Sequence, residues 1–365
     1  MRVFVLSPYH TGSHRQWAEG YRSASAHQVH LVTHEGAFWT WRLTGGFVTM
    51  ADEVRHAIER HGRPDVVLAT SMLDLAGLLG LLRADLAGAP AALYVHENQV
   101  TYPALGRTKV EAFHGLVNWT SLLAADAVAF NSQFHRDAFF DALPGLLRSF
   151  PDRRHDHLIE QVRERAVVLA VGIDLRRLDP PVSERGTVPL LLWNHRWDPD
   201  KDPGAFLAAA SALAADGLDF RVALAGERFV GQAEAHAAAV AALGDRVIVD
   251  GHLEEATYRD VLRRADVVVS TAHQEFFGVS IAEAMYAGAM PVLPDRLVYP
   301  ERIPAGLRHR CLYRDGTGLV ERLAWAIEHP AGARDIGRRL AGSVARFDWG
   351  HVAPEYDRWL EAATP

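Results

Sequence analysis

Cysteine and long apolar runs are the scarcest features of this 365-residue chain. A single cysteine, Cys311, excludes an intramolecular disulfide and is typical of a reducing compartment. The most apolar window, residues 66–82, contains Asp74 and falls short of the roughly 18 uncharged apolar residues of a membrane helix. The N-terminal apolar run, residues 3–6, is too short for a signal peptide. We therefore expect a cytoplasmic protein with no membrane partner.

Excess positive charge and several cofactor motifs are also missing. A net charge of −7 argues against unspecific nucleic-acid binding, although arginines cluster within residues 148–165. No G-x-G-x-x-G or G-x-x-x-x-G-K-[ST] occurs, and position 100 is Val, which breaks an H-E-x-x-H pattern. The 19 histidines form no credible ligand spacing. We expect no cofactor and no metal.

Short apolar runs alternate with longer helical patterns. Predicted strands cover residues 3–7, 29–33, 65–69, 91–95, 127–130 and 167–171, then 190–193, 220–225, 246–249, 266–270 and 290–293. Predicted helices between them cover residues 109–124, 203–215, 232–243, 255–264 and 279–287. Continuous apolar strands are typical of parallel sheets covered on both faces. The sequence predicts an α/β protein with doubly wound parallel sheets.

The alternation pauses at residues 174–188, where a Pro-Pro pair and mixed charges indicate a linker. We predict an N-terminal domain over residues 1–180 and a C-terminal domain over residues 188–346. Residues 347–365 carry aromatic side chains at helical spacing and are predicted to pack back on the body. Two such domains face each other across a cleft, and ligands bind at the carboxyl ends of the strands.

Two candidate positions follow strands of the first domain. Gly12 and Ser13 lie between a strand and a helix, where free N–H groups favour an anion. Alternatively, Ser13 is only a helix N-cap. His96 follows the strand at residues 91–95 and can donate to a substrate hydroxyl; the alternative is a hydrogen-bonded structural histidine.

Two cations follow the first strand of the second domain. Arg196 and Lys201 stand just before a helix that opens at Pro203, where they can clamp a diphosphate. The alternative is a surface cluster of ion pairs with the acidic residues between and beside them, Asp198, Asp200 and Asp202.

Two acids follow a later strand of the same domain. Glu275 and Glu283 are eight residues apart, with Gly278 at the turn into a helix. The N–H groups between them suit phosphate, and Glu283 suits the two hydroxyls of a ribose. Taken alone, the two acids are also explained as a carboxylate pair at a helix start.

The two cations followed by the E-x7-E pattern resemble the donor site of retaining family 4 glycosyltransferases of the GT-B fold. Further motifs are similar to one subgroup, the tRNA-queuosine α-mannosyltransferase family. These motifs are His96-Glu-Asn-Gln with Tyr102-Pro103, Phe130-Asn-Ser-Gln-Phe-His135, His195-Arg-Trp-x-x-Asp-Lys-Asp-Pro203, Glu275-Phe-Phe-Gly-Val279 and Leu297-Val-Tyr-Pro-Glu301. The resemblance runs from the Gly-Ser-His loop to Asp348-Trp349, nearly the whole chain.

The resemblance implies a reaction. By that resemblance, the donor would be GDP-mannose, and the acceptor would be the cyclopentenediol of queuosine at the wobble position of tRNA-Asp. Thr11 and Gln274 depart from the family, which often has a glycine and a histidine at these positions.

The resemblance also assigns roles. Gly12 and Ser13 match the phosphate-facing loop, and Arg196 and Lys201 the diphosphate cations. Glu275 matches the residue that faces the donor sugar. His96 matches the active-site histidine. We take His96, Arg196, Lys201 and Glu275 as catalytic candidates.

The remaining donor-binding candidates lie in the second domain. Gly278 and Val279 match backbone donors, Phe277 lies beside them, and Glu283 matches the ribose carboxylate. We expect the backbone at Gly251, His252 and Leu253, after the strand at 246–249, to recognise guanine.

Other functions stay open on the sequence. One is a family 4 glycosyltransferase with a small-molecule, lipid or glycan acceptor. A second is a sugar-nucleotide epimerase on the same fold. A third is a non-catalytic nucleotide- or RNA-binding protein.

Overall fold

A computed structural model describes residues 1–102, 109–179, 185–227 and 233–364. The chain divides into two compact units: Met1–Asp174 together with Phe347–Pro365, and Leu175–Arg346. Three predicted features fall partly outside the described residues, namely Pro103 of one motif, residues 180–184 of the linker, and Gln232 at a helix start. Within the described ranges, no helix combines the length and the apolar character that crossing a bilayer requires.

The first unit contains a six-stranded parallel sheet in the order β2-β1-β3-β4-β5-β6. Its strands are β1 (Arg2–His10), β2 (Gln28–Glu35), β3 (Val66–Thr70), β4 (Ala91–Val95), β5 (Ala127–Phe130) and β6 (Ala166–Val168). Every residue of β3 and β4 is buried, because helices cover both faces of the sheet.

The helices of this unit follow the strands in sequence. They are α1 (Gly12–Ala24), α2 (Trp39–Thr44), α3 (Phe47–His61), α4 (Leu75–Leu86), α5 (Lys109–Ala124), α6 (Gln133–Leu147) and α7 (Ile159–Arg165). Side-chain caps begin two of them: the Asp74 carboxylate accepts from the Gly77 N–H at 2.9 Å, and Ser132 Oγ accepts from the His135 N–H at 3.0 Å.

The C-terminal helix Trp349–Ala363 belongs to the first unit. Tyr356 accepts a hydrogen bond from Trp17 Nε1 at 3.2 Å. Asp357 accepts from the Tyr21 hydroxyl at 2.8 Å and from Ser25 Oγ at 2.6 Å. The C-terminal helix therefore packs against α1.

The second unit contains another six-stranded parallel sheet, in the order β12-β11-β10-β7-β8-β9. Its strands are β7 (Leu190–Trp193), β8 (Arg221–Leu224), β9 (Val247–Asp250), β10 (Val267–Val269), β11 (Met290–Pro294) and β12 (Leu312–Tyr313). The predicted α/β class with two doubly wound parallel sheets is confirmed. Each predicted strand overlaps an observed one, and in the described part of the chain only the two-residue β12 was missed.

The helices of the second unit lie between its strands and at its end. They are α8 (Pro203–Ala215), α9 (Ala233–Leu243), α10 (Glu255–Arg264), α11 (Val279–Tyr286), α12 (Tyr299–Arg302), α13 (Arg308–Cys311), α14 (Gly316–Glu328) and α15 (Pro330–Val344). The C-terminal helix Trp349–Ala363 is then α16.

The boundary between the units lies earlier than the predicted residue 180. Leu175–Asp179 group with the second unit, because Arg177 pairs with Glu255 and Glu283, and Arg263 Nε donates to the Leu178 carbonyl at 3.1 Å. These contacts join segments far apart in sequence, so the linker composition gave no sign of them.

Candidate active site

The second sheet reverses its winding between β7 and β10. From β7 the chain proceeds outward to β8 and β9, then returns to place β10 on the other side of β7. Helices diverge at such a switch point, which leaves room for a ligand beyond the carboxyl ends of the two strands. The segments that follow β7 and β10 carry most of the predicted site.

Lys201 is a largely buried cation in this region, with 13% of its side chain exposed. Its Nζ donates to the Gln274 carbonyl at 2.6 Å and pairs with Asp200 at 3.3 Å and Glu275 at 3.4 Å. Burial alone would lower the pKa of Lys201, but the carboxylates of Glu275 and Asp200 outweigh it and raise that pKa. Lys201 therefore keeps its charge at neutral pH.

Glu275 is held as a carboxylate. One oxygen pairs with Lys201, and the other accepts from the N–H groups of Phe277 at 3.3 Å and Gly278 at 3.0 Å. Burial would raise the pKa of Glu275, yet Lys201 and the two N–H donors lower it overall. The two predicted catalytic groups Lys201 and Glu275 are thus in direct contact.

Gly278 is the N-cap of α11 and has φ +83°, a left-handed backbone that favours glycine. Its N–H donates to Glu275, so the prediction that this N–H is free for phosphate is corrected. The N–H groups of Val279 and Ser280 lie in the first turn of α11, where a helix supplies no internal acceptor.

Thr271 ties the two loops together. Its hydroxyl lies within hydrogen-bond distance of the carbonyls of Lys201 at 2.7 Å and Asp202 at 2.8 Å, and it accepts from Trp193 Nε1 at 3.2 Å. The His273 N–H donates to the Asp200 carbonyl at 2.7 Å. Sequence reasoning missed Thr271, since a threonine after a strand carries no distinctive signal.

Arg196 does not join the buried pair. Its side chain is 59% exposed and pairs with Asp198 at 3.0 Å. The observed contacts of Arg196 match the alternative interpretation of a surface ion pair, whereas Lys201 lies inside.

Gly226 determines the path of the loop that carries Arg196, because a Cβ atom at Gly226 would lie 1.8 Å from the His195 carbonyl oxygen.

Glu283 is buried near the end of β7. Arg177 donates to one carboxylate oxygen, and the Tyr258 hydroxyl donates to the other at 3.1 Å. Asn194 Nδ2 in turn donates to the Tyr258 oxygen at 3.1 Å. Burial raises the pKa of Glu283, and Arg177 opposes that rise only in part. Arg177 was missed because it lay in the predicted linker.

Three buried polar atoms near the pair have no hydrogen-bond partner among the residues that the structure describes: His195 Nε2, Gln274 Nε2 and Asn194 Oδ1. Burial, and then Lys201, lower the pKa of His195 to about 3, so its ring is neutral. Unpaired buried polar atoms call for an explanation, and a bound polar ligand supplies one.

The predicted base-recognition segment lies apart from the buried pair. Gly251, His252 and Leu253 follow β9, the edge strand two places from β7 in the sheet. The Gly251 N–H already donates to the Leu224 carbonyl at 2.9 Å, and His252 is exposed. The Gly251 N–H is therefore already used within the sheet.

His96 lies at the carboxyl end of β4 in the first unit. Aromatic rings surround it, with the centroids of Trp17, Tyr94 and His14 at 4.5, 4.7 and 4.8 Å. Burial, then His14 and His135, hold the pKa of His96 well below its ordinary value. Both ring nitrogens are buried without a partner in the described part of the chain, so the alternative of a hydrogen-bonded structural histidine is not observed.

Gly12 and Ser13 are exposed at the start of α1. Gly12 has φ +50°, and the N-cap residue is Thr11, which makes no side-chain cap. The alternative role of Ser13 as N-cap is therefore wrong, because the helix begins one residue before it.

Across the described ranges, the structure contains no group of three or more acidic, His or Cys side chains placed to hold a metal ion.

These two doubly wound sheets, with a largely buried acid–lysine pair at the switch point of the second, define a glycosyltransferase of the GT-B type. The family described as "Glycosyl transferases group 1" matches residues 176–339, and "tRNA-queuosine alpha-mannosyltransferase N-terminal" matches residues 2–173. A tRNA-queuosine alpha-mannosyltransferase of Drosophila melanogaster is 32% identical over 336 residues, which cover 88% of this chain and 85% of the relative. The chain belongs to the tRNA-queuosine alpha-mannosyltransferase family.

Solved structures share the fold at low identity. Sucrose-phosphate synthase from Thermosynechococcus elongatus matches with a TM-score of 0.74 and 17% identity, covering 99% of this chain and 98% of that one. HepE of Anabaena, solved in complex with UDP-glucose, matches with a TM-score of 0.71 and 16% identity, covering 99% and 100%. These likenesses confirm the GT-B architecture.

Proposed function

We propose that this protein transfers mannose from GDP-mannose to queuosine at the wobble position of tRNA-Asp, with retention of the anomeric configuration. The largely buried Lys201–Glu275 pair at the switch point carries the donor half of the proposal. The acceptor half is supported by the family of the first unit and by the name of the Drosophila relative. We infer a cytoplasmic location, where tRNA is available and the single buried Cys311 stays a free thiol.

The proposed diphosphate site combines a fixed charge with a helix terminus. Lys201 supplies a cation that burial has already removed from water. The first-turn N–H groups of α11, at Val279 and Ser280, favour an anion. Arg196 completes the clamp when phosphate replaces Asp198 as its partner. The exposed guanidinium can make this exchange without breaking the core.

The remaining donor contacts come from the segments after β7, β9 and β10 and from α11. Glu283 accepts the ribose hydroxyls, and Glu275 faces the transferred sugar. The backbone at Gly251–Leu253 recognises guanine. His195 Nε2 and Gln274 Nε2 offer unpaired buried polar atoms to sugar hydroxyls.

The proposed chemistry is same-face transfer. Both acids are assigned to binding, because Glu275 is neutralised by Lys201 and Glu283 by Arg177. Lys201 and Arg196 stabilise charge that grows on the departing phosphate, and this phosphate accepts the proton of the acceptor hydroxyl. No metal is assigned to the step.

In the first unit, His96 is proposed to contact the transferred sugar. Its neutral ring can donate from one nitrogen and accept at the other, and both are unpaired within the described residues. Gly12 and Ser13 supply exposed first-turn N–H groups for a phosphate.

The test is direct. The protein is incubated with GDP-mannose and queuosine-containing tRNA-Asp, and the nucleosides are analysed by mass spectrometry. We expect queuosine to gain one hexose, and a tRNA with guanosine at the wobble position to gain none. Transfer from UDP-glucose alone would refute the donor. Transfer only to a small molecule, lipid or glycan would refute the acceptor, and release of a free epimerised sugar would point to an epimerase.

A further inference from the structure

Glu283 accepts hydrogen bonds from two residues, Arg177 and Tyr258, that have no role in the proposed function. Arg177 donates to Oε1, and the Tyr258 hydroxyl donates to Oε2. Only 6% of the Glu283 side chain is exposed, and 18% of Arg177. A buried carboxylate in this setting depends on its cation, because burial otherwise favours the neutral acid.

Arg177 is itself fixed in place. It lies in a 3₁₀ turn, Arg176–Leu178, and its second guanidinium nitrogen donates to Glu255. The Leu178 carbonyl accepts from Arg263 Nε at 3.1 Å, and the Arg177 carbonyl lies 3.5 Å from Arg259 Nη1. Helix α10 therefore anchors the turn that carries the guanidinium.

The geometry leaves Glu283 half satisfied. Each carboxylate oxygen has about two lone-pair directions, and the protein occupies one on each. Among the residues that the structure describes, one acceptor position remains on each oxygen, which suits a pair of neighbouring hydroxyl donors. The 2′ and 3′ hydroxyls of a ribose form such a pair.

We propose that Arg177 is a positioning residue, which orients Glu283 and holds it ionised so that the carboxylate accepts both ribose hydroxyls of a nucleoside diphosphate. This inference rests on the proposed role of Glu283 in donor binding. Arg177 is proposed to act through Glu283 and not by contact with the nucleotide.

Ligands that lack the two hydroxyls isolate this role. Affinities for GDP and 2′,3′-dideoxy-GDP are measured by calorimetry in the wild type, Arg177→Gln, Arg177→Lys and Arg176→Gln. The wild type should prefer GDP by about 10- to 100-fold, the worth of hydrogen bonds to a charged group. Arg177→Gln should reduce the preference to less than about threefold, and Arg177→Lys should restore part of it. The exposed neighbour Arg176, with the same loss of charge, should leave it unchanged.

Other outcomes separate the two ideas. A full preference in Arg177→Gln, or tighter GDP binding than in the wild type, would overturn the positioning role. A full preference in Glu283→Gln would instead overturn the proposed ribose site. UDP and its dideoxy form are run in parallel, so that a wrong base assignment does not hide the ribose effect. Tyr258→Phe, which removes only the opposite donor, should lower the preference in part and serves if Arg177→Gln fails to fold.

Discussion

At the scale of one residue, Lys201 shows how a charged side chain is fixed in position before the reaction. Asp200, Glu275 and the Gln274 carbonyl hold its ammonium group below the surface. Such a group need not be reorganised when charge develops beside it, so its electrostatic effect exceeds that of an exposed lysine.

The Lys201→Gln enzyme should lose about 100- to 1,000-fold in kcat, the effect of removing one pre-organised transition-state contact. Because the contact strengthens as the phosphate departs, kcat and kcat/KM should fall together. Steady-state transfer rates check this. Arg314→Gln, at an ion pair whose arginine is 86% exposed, is the control and should keep wild-type rates. Unchanged kcat in Lys201→Gln would contradict the role.

His195 makes stability depend on pH. Its pKa is lowered from the ordinary 6.5 to about 3 by burial and by Lys201. As the pH falls below 6.5, the unfolded chain binds a proton that the folded chain refuses, so the free energy of unfolding decreases. At pH 5 this loss is about 2 kcal/mol.

His195→Gln should therefore reduce the loss of unfolding free energy between pH 7 and pH 5 by about 2 kcal/mol. Urea unfolding followed by tryptophan fluorescence at the two pH values measures it. Equal losses in the wild type and the variant would show that His195 is already protonated, or exposed, in the folded chain.

At the scale of elements, the site depends on how closely loops approach one another after β7, β8 and β10. Gly226 follows β8, and the backbone of His195 passes against its Cα. Thr271 binds the Lys201 loop from the side of β10. The loop that carries Arg196 and Lys201 thus lies between its two neighbours.

Gly226→Ala should displace that loop, because the new Cβ atom would meet the His195 carbonyl oxygen at 1.8 Å. We expect the free energy of unfolding to fall by about 1–3 kcal/mol and donor affinity to fall with it. Gly342→Ala, in α15 with no neighbour within 4 Å, is the matched control and should stabilise by about 0.5–1 kcal/mol. Denaturant unfolding and nucleotide titration distinguish the two. Similar behaviour of both variants would refute the close approach.

At the scale of the whole molecule, the chain closes its first unit with its last helix. Asp357 accepts from the Tyr21 hydroxyl, from Ser25 Oγ and from the Ala26 N–H. Helices α1 and α16, which lie more than 300 residues apart in sequence, therefore belong to one packed body.

Asp357→Ala should lower the free energy of unfolding by about 2–3 kcal/mol, because it leaves these donors without their acceptor. Hydrogen exchange should show the loss of protection in α1 and α16. Glu361→Ala removes an acid that is 54% exposed on the same helix and should change protection little. Unaltered exchange in α1 after Asp357→Ala would contradict this account.

Local pattern was enough for the architecture. Apolar runs such as residues 91–95 and 190–193 coincide with β4 and β7, because a strand buried on both faces must be apolar throughout. The E-x7-E spacing and the motif at His96 predicted the family, which the relatives confirm. Each of these signals is contained in a short stretch of the chain. The sequence by itself therefore determined the architecture and the family.

Only the tertiary structure decided which charges meet. It paired Lys201 with Glu275 but Arg196 with Asp198, and it brought Arg177 from the predicted linker onto Glu283. In the folded chain the Gly278 N–H also donates a hydrogen bond to the Glu275 carboxylate. Partners like these are set by strand order and loop path, which depend on packing between distant segments. Residue type and spacing carry no record of that packing.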